Sequence, residues 1–405
     1  MTLSLFDLTA ALTTVRQCSE QLTSDEQCSK ALAVMGSAIA ERQDDILEAN
    51  TLDLEISRDM AVPELVVDWL KLTPERVQVT ANIFQRLAAM GTAVPMVNER
   101  GGSASDVPSR PVGIIGFIYE AFPDLGAIAA GLSIRMGNAI VLRGGGEASK
   151  TNQVIANILQ GALLEVDLFE TLIFPAYPTD ESRIEVAQCN DIDLIITHGR
   201  PSLVEQVVQS ASVPVIPSRM GNCYLYWAAS GNLDQVYKMI IESHSGTPDA
   251  VNRIEKVLIH ETLSENALTR LWNRLQEQGF TLKAEGELAQ KHSLAVAEPL
   301  DWGSAYLKRT IAFRQVKNSA EAISWINTHS SGHADSIATG DYAESRLFIA
   351  RCRSASLYIN ASPQFVRNAK HTEAIAIGVS DRKGATGGLI GMSVMREHQR
   401  VFHGS

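Results

Sequence analysis

A run of three glycines follows an arginine at the junction of an apolar stretch and a helical pattern, in the segment Arg143-Gly144-Gly145-Gly146-Glu147. Glycines between a strand and a helix let a phosphate approach the backbone closely, and the helix start that follows favours an anion. The guanidinium of Arg143 has the charge to meet a 2′-phosphate. We therefore predict Arg143, Gly144, Gly145 and Glu147 as dinucleotide-binding residues. Because the segment lacks a GxGxxG pattern, a purely structural glycine turn is the alternative.

Thiols and imidazoles are the other groups that could do chemistry. The cysteines are five in number, widely spaced and without a CxxC pair: Cys18, Cys28, Cys189, Cys223 and Cys352. This usage predicts free thiols in a reducing, cytoplasmic compartment. His329 and His333 are four residues apart with Asp335 nearby, but Ser330-Ser331-Gly332 interrupts any helix that would present both rings. We therefore predict no metal site.

The glycine turn lies in a segment, Arg110 to Asn152, around which the chain is organised. The apolar run Val112–Tyr119, rich in β-branched residues, predicts a strand buried on both faces. An amphipathic helix is predicted over Leu125–Met136, then a strand over Ala139–Leu142 and a helix from about Ala148. This order is a βαβ unit, and the short strands and helices downstream extend it to a doubly wound dinucleotide-type domain.

Helices are predicted before this segment, and a second αβ region after it. Thr73-Pro74-Glu75 has the composition of a helix start, with a capping hydroxyl, a proline in the first turn and an acid near the dipole. In the second region we predict helices at Asn232–His244 and Ala320–Thr328 and a strand at Ser356–Asn360. A variable segment without predicted elements runs to about Lys308.

Composition excludes several classes of function. The 405 residues carry a formal net charge of −11, which argues against nucleic acid or an anionic membrane as the main partner. The hydrophobic share of 45% and charged share of 20% predict an ordered globular protein with more than one domain. No window reaches the roughly 18 uncharged apolar residues of a membrane span. The N-terminal MTLSLFDLTA lacks the basic region of a secretory signal.

Six stretches, in order along nearly the whole chain, carry a family resemblance: Ile46–Asn50, Leu70–Arg76, Arg110–Asn152, Asp193–Ile196, Val213–Ile216 and Tyr358–Ser362. They resemble the γ-glutamyl phosphate reductase (glutamate-5-semialdehyde dehydrogenase) family of the aldehyde dehydrogenase superfamily. That family typically reads VPLGVIGVIYEARPNV and, further on, SGNAVILRGGSEA in its core.

The resemblance implies an α/β, aldehyde dehydrogenase-like fold in three parts. These are an NADP-binding-type domain at residues 1–224, a domain carrying the family's nucleophile at 225–363, and a returning C-terminal oligomerisation segment at 364–405. It also implies the family's activity, NADPH-dependent reduction of L-glutamyl 5-phosphate to glutamate 5-semialdehyde in proline biosynthesis. In that reaction a cysteine thiolate forms a thioester, which then accepts hydride. Subunit pairing would set a strand of one protomer beside the sheet of another.

The resemblance also locates the nucleophile position. The family segment YPAACNAMETLLVH corresponds to Thr247–His260, in which a proline, an alanine, an asparagine, a glutamate and the last histidine keep register. The nucleophile position is then Val251, which has no lone pair to attack with; we interpret it as a residue of the core. Cys223 is the nearest thiol that could stand in, and a buried packing role is its alternative.

Two further departures concern the oxyanion donor and the tail. The family's YEARPNV reads Tyr119-Glu120-Ala121-Phe122-Pro123-Asp124-Leu125 here, so Asp124 replaces the amide donor and Phe122 replaces an arginine. A carboxylate accepts hydrogen bonds rather than donating them; we interpret Asp124 as an N-cap of the next helix. The family's tail glycines, acids and His-Ala-Arg-Gly-Pro segment are missing between Phe365 and Met392.

We therefore predict a non-catalytic paralogue that acts as a binding, regulatory or structural protein. We expect it to form a homodimer or to associate with another protein, such as an active family member that it steadies or inhibits. An active NADP(H)-dependent reductase, using Cys223 or a mechanism without a covalent intermediate, is the alternative. The first hypothesis makes a small-molecule substrate doubtful and leaves retention of NADP open.

Overall fold

The computed structural model describes residues 5–22, 24–91, 109–176, 180–246, 251–369, 375–382 and 388–398. The chain divides into two compact units. The first comprises Met1–Ser218, Asn368–Ile377 and Ile390–Ser405, and the second comprises Arg219–Arg367 and Gly378–Leu389. The roles expected for residues 225–363 and 364–405 remain predictions. No helix of the described ranges is long and apolar enough to cross a membrane.

Helices open the first unit, as predicted. They are α1 Leu5–Ser19, α2 Asp25–Glu41, α3 Gln43–Asp59, α4 Glu64–Leu70 and α5 Pro74–Ala89. The predicted start of α5 is confirmed, because the Thr73 side chain accepts a hydrogen bond from the amide of Arg76 and Pro74 occupies the first helical position. The apolar stripe of α5, including Val77, Phe84 and Leu87, is buried.

The predicted βαβ unit is confirmed within a parallel five-stranded sheet. The short strand β1 Ser109–Pro111 precedes this sheet and lies outside it. The strands of the sheet and the helices between them are β2 Ile114–Tyr119, α6 Pro123–Arg135, β3 Ala139–Arg143, α7 Ser149–Leu164, β4 Ile173–Pro175, α8 Asp180–Gln188, β5 Leu194–His198, α9 Pro201–Ser210 and β6 Val215–Pro217. The strand order is β4-β3-β2-β5-β6. The chain runs outward from β2 to β4 and then returns to the other side of β2. This is doubly wound topology with its switch point between β2 and β5.

The second unit is built on a parallel seven-stranded sheet. Its elements are β7 Cys223–Trp227, α10 Leu233–Ser243, β8 Ile254–His260, α11 Glu265–Glu277, β9 Thr281–Ala284, α12 Gly286–His292, β10 Ala295–Val296, β11 Thr310–Val316, α13 Ser319–His329, β12 Ala334–Ala338, α14 Tyr342–Arg351 and β13 Ser356–Ile359. The order is β10-β9-β11-β8-β7-β12-β13. Alternate residues of β7 enter opposite cores: Leu225 and Trp227 face one, Tyr224 and Tyr226 the other.

The last described elements are three short strands, β14 Ala376–Val379, β15 Leu389–Gly391 and β16 Arg396–His398. β14 pairs with β15, and β16 pairs antiparallel with β1. The amide of Asn138 donates to the carbonyl of Met395, which ties the tail to the end of α6 inside the first unit. Segments 370–374 and 383–387, which hold much of the altered tail, lie outside the described residues.

Candidate functional site

Arg143 is the last residue of β3, and its side chain points into the first unit. It is 1% exposed. Its Nη1 donates to the carbonyl of Gly144 at 2.5 Å, and its Nε donates to the hydroxyl of Ser182 at 3.2 Å. The guanidinium is therefore engaged within the fold.

The Glu147 carboxylate folds back over the glycine turn. It accepts a hydrogen bond from the amide of Ala121 at 2.7 Å, and a Cβ added to Gly145 would overlap it. Ala121 has φ +47°, a left-handed conformation that is uncommon for a residue with a side chain, and the hydrogen bond that its amide donates to Glu147 helps to hold it. Burial raises the pKa of Glu147, and the charge of nearby Glu120 raises it further.

The start of α7 was predicted to favour an outside anion; the chain's own Asp53 already occupies it. The amides of Lys150 and Thr151 and the hydroxyl of Thr151 donate to the Asp53 carboxylate at 3.1, 2.8 and 2.6 Å. Asp53 comes from α3 and is buried. A carboxylate at a helix N-terminus satisfies the same free amides that would bind a phosphate.

A pocket of about 60 Å³ opens beside this turn, lined by Tyr119, Leu142, Gly144, Ser149, Asn152, Gln153, Ala156, Pro175 and Ala176. Sites for drug-sized ligands and cofactors occupy roughly 300–1,000 Å³. The hydroxyl of Tyr119 donates to the side-chain oxygen of Asn152 at 3.0 Å, which uses part of the polar lining. By this measure the pocket is smaller than such sites.

Aromatic packing fills the switch point between β2 and β5. Phe122 is 1% exposed, stacks on Trp69 with ring centroids 4.9 Å apart and meets the His198 ring edge-on at 5.1 Å. Nδ1 of His198 lies 2.9 Å from the Ser218 hydroxyl. Next to it, the Glu120 carboxylate accepts three hydrogen bonds from Arg200, one from its amide and two from its guanidinium, at 2.5–2.9 Å.

Asp124 pairs with Arg76 across two helices. The Arg76 guanidinium donates to both Asp124 oxygens, at 2.6 and 3.2 Å, and also to the carbonyls of Lys71 and Trp69. The interpretation of Asp124 as an N-cap is wrong. The cap position is Phe122, and Asp124 is the second residue of α6. Its carboxylate turns to a cation of α5 because the partly buried Arg76 offers a charged, two-pronged donor.

In the second unit, His333 links Val251 to Cys223. His333 Nε2 donates to the Val251 carbonyl at 2.7 Å and lies 3.3 Å from the Cys223 sulfur, while its Nδ1 lies 3.0 Å from the Ser331 hydroxyl. All are buried except Ser331, which is partly exposed, and Cys223 is 0% exposed. Burial lowers the pKa of His333 to about 4 and raises the pKa of the Cys223 thiol well above its ordinary value. A neutral thiol beside a neutral imidazole is the resulting state.

The described residues include no group of three or more side chains placed to hold a metal ion. His333 is buried among the groups above, whereas His329 lies against the ring of Trp325 at 4.1 Å. The nearby Asp335 accepts hydrogen bonds from the amide of Tyr224 and the hydroxyls of Ser330 and Ser354.

No protein-family model matches the chain. The chain is 42% identical over 384 residues to γ-glutamyl phosphate reductase 2 of a Synechocystis strain, covering 93% of this chain and 91% of that protein. The chain belongs to the γ-glutamyl phosphate reductase family. The γ-glutamyl phosphate reductase of Thermotoga maritima has a similar crystal structure, with a TM-score of 0.87 and 28% identity over 98% of both chains.

The aldehyde dehydrogenase-like fold is confirmed as well. An acetylating aldehyde dehydrogenase of Geobacillus thermoglucosidasius matches with a TM-score of 0.69, covering 99% of this chain and 97% of that one. At 16% identity this similarity concerns the fold alone.

The γ-glutamyl phosphate reductase resemblance makes the surroundings of Val251 and of Asp124 the ones to compare with the family. Val251 lies against His333 and Cys223 in the second unit, while Asp124 is paired with Arg76 in the first. Residues 247–250, just before Val251, lie outside the described residues. Arg143, Gly144, Gly145 and Glu147 do come together around one turn.

Sequence reasoning missed the partners of these residues, chiefly Arg76, Asp53 and the Glu120–Arg200 pair. One signal was available for Arg76. A cation in the first turn of a helix opposes the helix dipole, so such a residue predicts an acidic partner. The contacts of Asp53 and Arg200 have no local sequence signal.

Proposed function

We propose that this chain is a non-catalytic member of the γ-glutamyl phosphate reductase family and acts as a binding, regulatory or structural protein. The observation that carries the proposal is Val251 at the position of the family's nucleophile. An isopropyl side chain cannot form a thioester, and loss of a nucleophile costs roughly 10⁴–10⁶ in rate. Val251 is buried, and its carbonyl is held by His333 and by the amide of Gly221.

Asp124 supports the same proposal. A carboxylate that already accepts two hydrogen bonds from Arg76 offers no donor to an oxyanion and repels it electrostatically. Loss of one oxyanion donor costs on the order of 10²–10³ in rate. This departure is independent of Val251, so the two losses reinforce each other.

The direct test is turnover by the purified full-length protein. NADPH oxidation is followed with L-glutamyl 5-phosphate, and NADP reduction is followed with glutamate 5-semialdehyde and phosphate. An active family reductase serves as the positive control under the same conditions. We expect no rate above the protein-free blank, and clear turnover would end the proposal.

The second candidate is an active reductase that uses Cys223 or a mechanism without a covalent intermediate. The 3.3 Å separation of the Cys223 sulfur and His333 Nε2 favours it, since a cysteine beside a histidine is the usual arrangement of an activated thiol. Complete burial and the raised thiol pKa argue against it. If this candidate is correct in its covalent form, Cys223→Ala abolishes activity.

Family membership implies NADPH as the hydride donor, with Arg143, Gly144, Gly145 and Glu147 as the binding residues. These residues already contact other groups of the chain, which supports at most a weak affinity for NADP(H). We further propose a cytoplasmic protein that forms a homodimer or pairs with another protein, with no nucleic-acid partner. Native mass spectrometry of the purified protein, and of its mixture with an active family reductase, distinguishes these assemblies.

A further inference from the structure

Among the helices that follow strands of the five-stranded sheet are α6, α7 and α9, which start at its carboxyl edge, where a doubly wound fold binds its ligand. Two of them, α6 and α9, begin with Pro123 and Pro201, which carry no N–H. The third, α7, has the amides of Lys150 and Thr151 bonded to Asp53. The first amide donor is therefore missing at the starts of α6 and α9, and two amides at the start of α7 are already in use.

The hydrogen-bond donors in the loops between these helices and the preceding strands are also in use. The amide of Ala121 donates to Glu147, and the amide and guanidinium of Arg200 donate to Glu120. Each contact pairs a donor able to bind phosphate with a carboxylate of the chain itself. An arriving phosphate would have to displace these carboxylates while being repelled by them.

The space at the switch point between β2 and β5 is also limited. Phe122 fills the turn after β2 and is packed between the rings of Trp69 and His198. Tyr119 and His198 are register partners at the ends of β2 and β5, so this stack lies at the switch point itself. The family resemblance puts an arginine at position 122, and the buried phenylalanine removes its charge from this edge.

We propose that the dinucleotide crevice of the first unit is closed by the chain's own side chains, with the carboxylates of Asp53, Glu120 and Glu147 in place of phosphate and Phe122 filling the switch point. The protein then does not take NADP(H) into this crevice. This goes beyond the loss of catalysis, since a non-catalytic family member could still bind the dinucleotide.

The test begins with the wild-type protein. The full-length chain is titrated with NADPH by fluorescence and by calorimetry, beside an active family reductase. We expect no saturable binding below about 1 mM, the upper end of the usual KM range. A saturable one-to-one isotherm below that concentration would overturn the inference. That result would leave the proposed function intact, because only turnover contradicts it.

A pair of charge variants tests the role of the carboxylates. Glu147→Gln keeps the size of the side chain and removes its charge, and Glu165→Gln makes the same change at an exposed site at the far end of α7. With inorganic pyrophosphate as the probe, we expect Glu147→Gln to bind at least about tenfold more tightly than wild type and Glu165→Gln to match wild type. If Glu147→Gln fails the circular dichroism check of folding, Glu120→Gln takes its place. Equal pyrophosphate affinity in wild type and the folded variant would overturn the inference.

Discussion

The carbonyl oxygen of Val251 accepts a hydrogen bond from Nε2 of the buried His333 at 2.7 Å. The position that the resemblance assigns to the family's nucleophile is therefore held through its backbone, and the Val251 side chain carries no reactive atom. The same ring nitrogen lies 3.3 Å from the Cys223 sulfur. The His333 ring thus contacts both the Val251 carbonyl and the Cys223 sulfur.

We predict that His333 makes stability depend on pH. Burial lowers its pKa in the folded protein to about 4 from an ordinary value of 6.5, so between these pH values the unfolded chain binds more protons. Its contribution is complete above pH 6.5 and is lost as the pH falls towards 4, on the order of 3 kcal/mol in all. Urea unfolding of wild type and His333→Gln at several pH values measures this.

The gap in unfolding free energy between wild type and His333→Gln should shrink as the pH falls from 6.5 to 4. Asp335 has its pKa raised to about 6 by burial and acts in the opposite direction, but it is present in both proteins and cancels in the difference. His398→Gln, at an exposed position, is the matched control and should show a constant gap. A constant gap for His333→Gln as well would contradict this account.

A double-mutant cycle on Arg76 and Asp124 should give a coupling free energy of about 1.5–3 kcal/mol, the range for hydrogen bonds to charged groups. Both side chains are mostly buried, 19% and 17% exposed, and the pair is two-pronged. The matched control is the exposed pair of Arg42 and Asp45, for which we expect no more than about 1 kcal/mol. Equal coupling in the two cycles would mean that the Asp124 pair does not stabilise the fold.

Phe122→Ala should destabilise the first unit by about 3–5 kcal/mol, the usual cost of removing a buried phenylalanine. The reason is the cavity left between Trp69 and His198. Phe169→Ala removes the same atoms from a side chain that is 44% exposed and should cost much less. Chemical unfolding followed by tryptophan fluorescence compares the two, and similar costs would argue against a packed switch point.

Val251→Cys should not restore reductase activity on its own. The new thiol would still lack an oxyanion donor, because Asp124 remains paired with Arg76. A rate at least about 10²-fold below that of an active family reductase is expected from that loss alone. Steady-state kinetics with L-glutamyl 5-phosphate measures it, with wild type as the blank, and recovery to within tenfold of the active enzyme would contradict the prediction.

Periodicity was sufficient to predict the elements that position the site. The βαβ unit around the glycine turn is confirmed because β2 and β3 are buried apolar runs and α6 has helical spacing. Periodicity did not predict the elements in the segment before Lys308. It contains β9, α12 and β10, of four, seven and two residues, and both residues of β10 are exposed. Such short elements carry too few residues to establish a pattern.

The internal partners of the site could not be predicted in the same way. Asp53 and Thr151 are 98 residues apart, and Val251 and His333 are 82 apart. A single sequence carries no local signal for such contacts, which depend on how helices and strands pack. For that reason Asp124 was interpreted from its local context as an N-cap, whereas a distant arginine decides its role.

The most direct test of the central claim is intact-mass analysis of the wild-type protein after acid quenching during incubation with L-glutamyl 5-phosphate. An active family reductase, which forms an acyl-enzyme, is the positive control. We predict an unmodified mass for this chain, with none of its five cysteines acylated. A glutamyl thioester on any of them, above all one that Cys223→Ala removes, would contradict it.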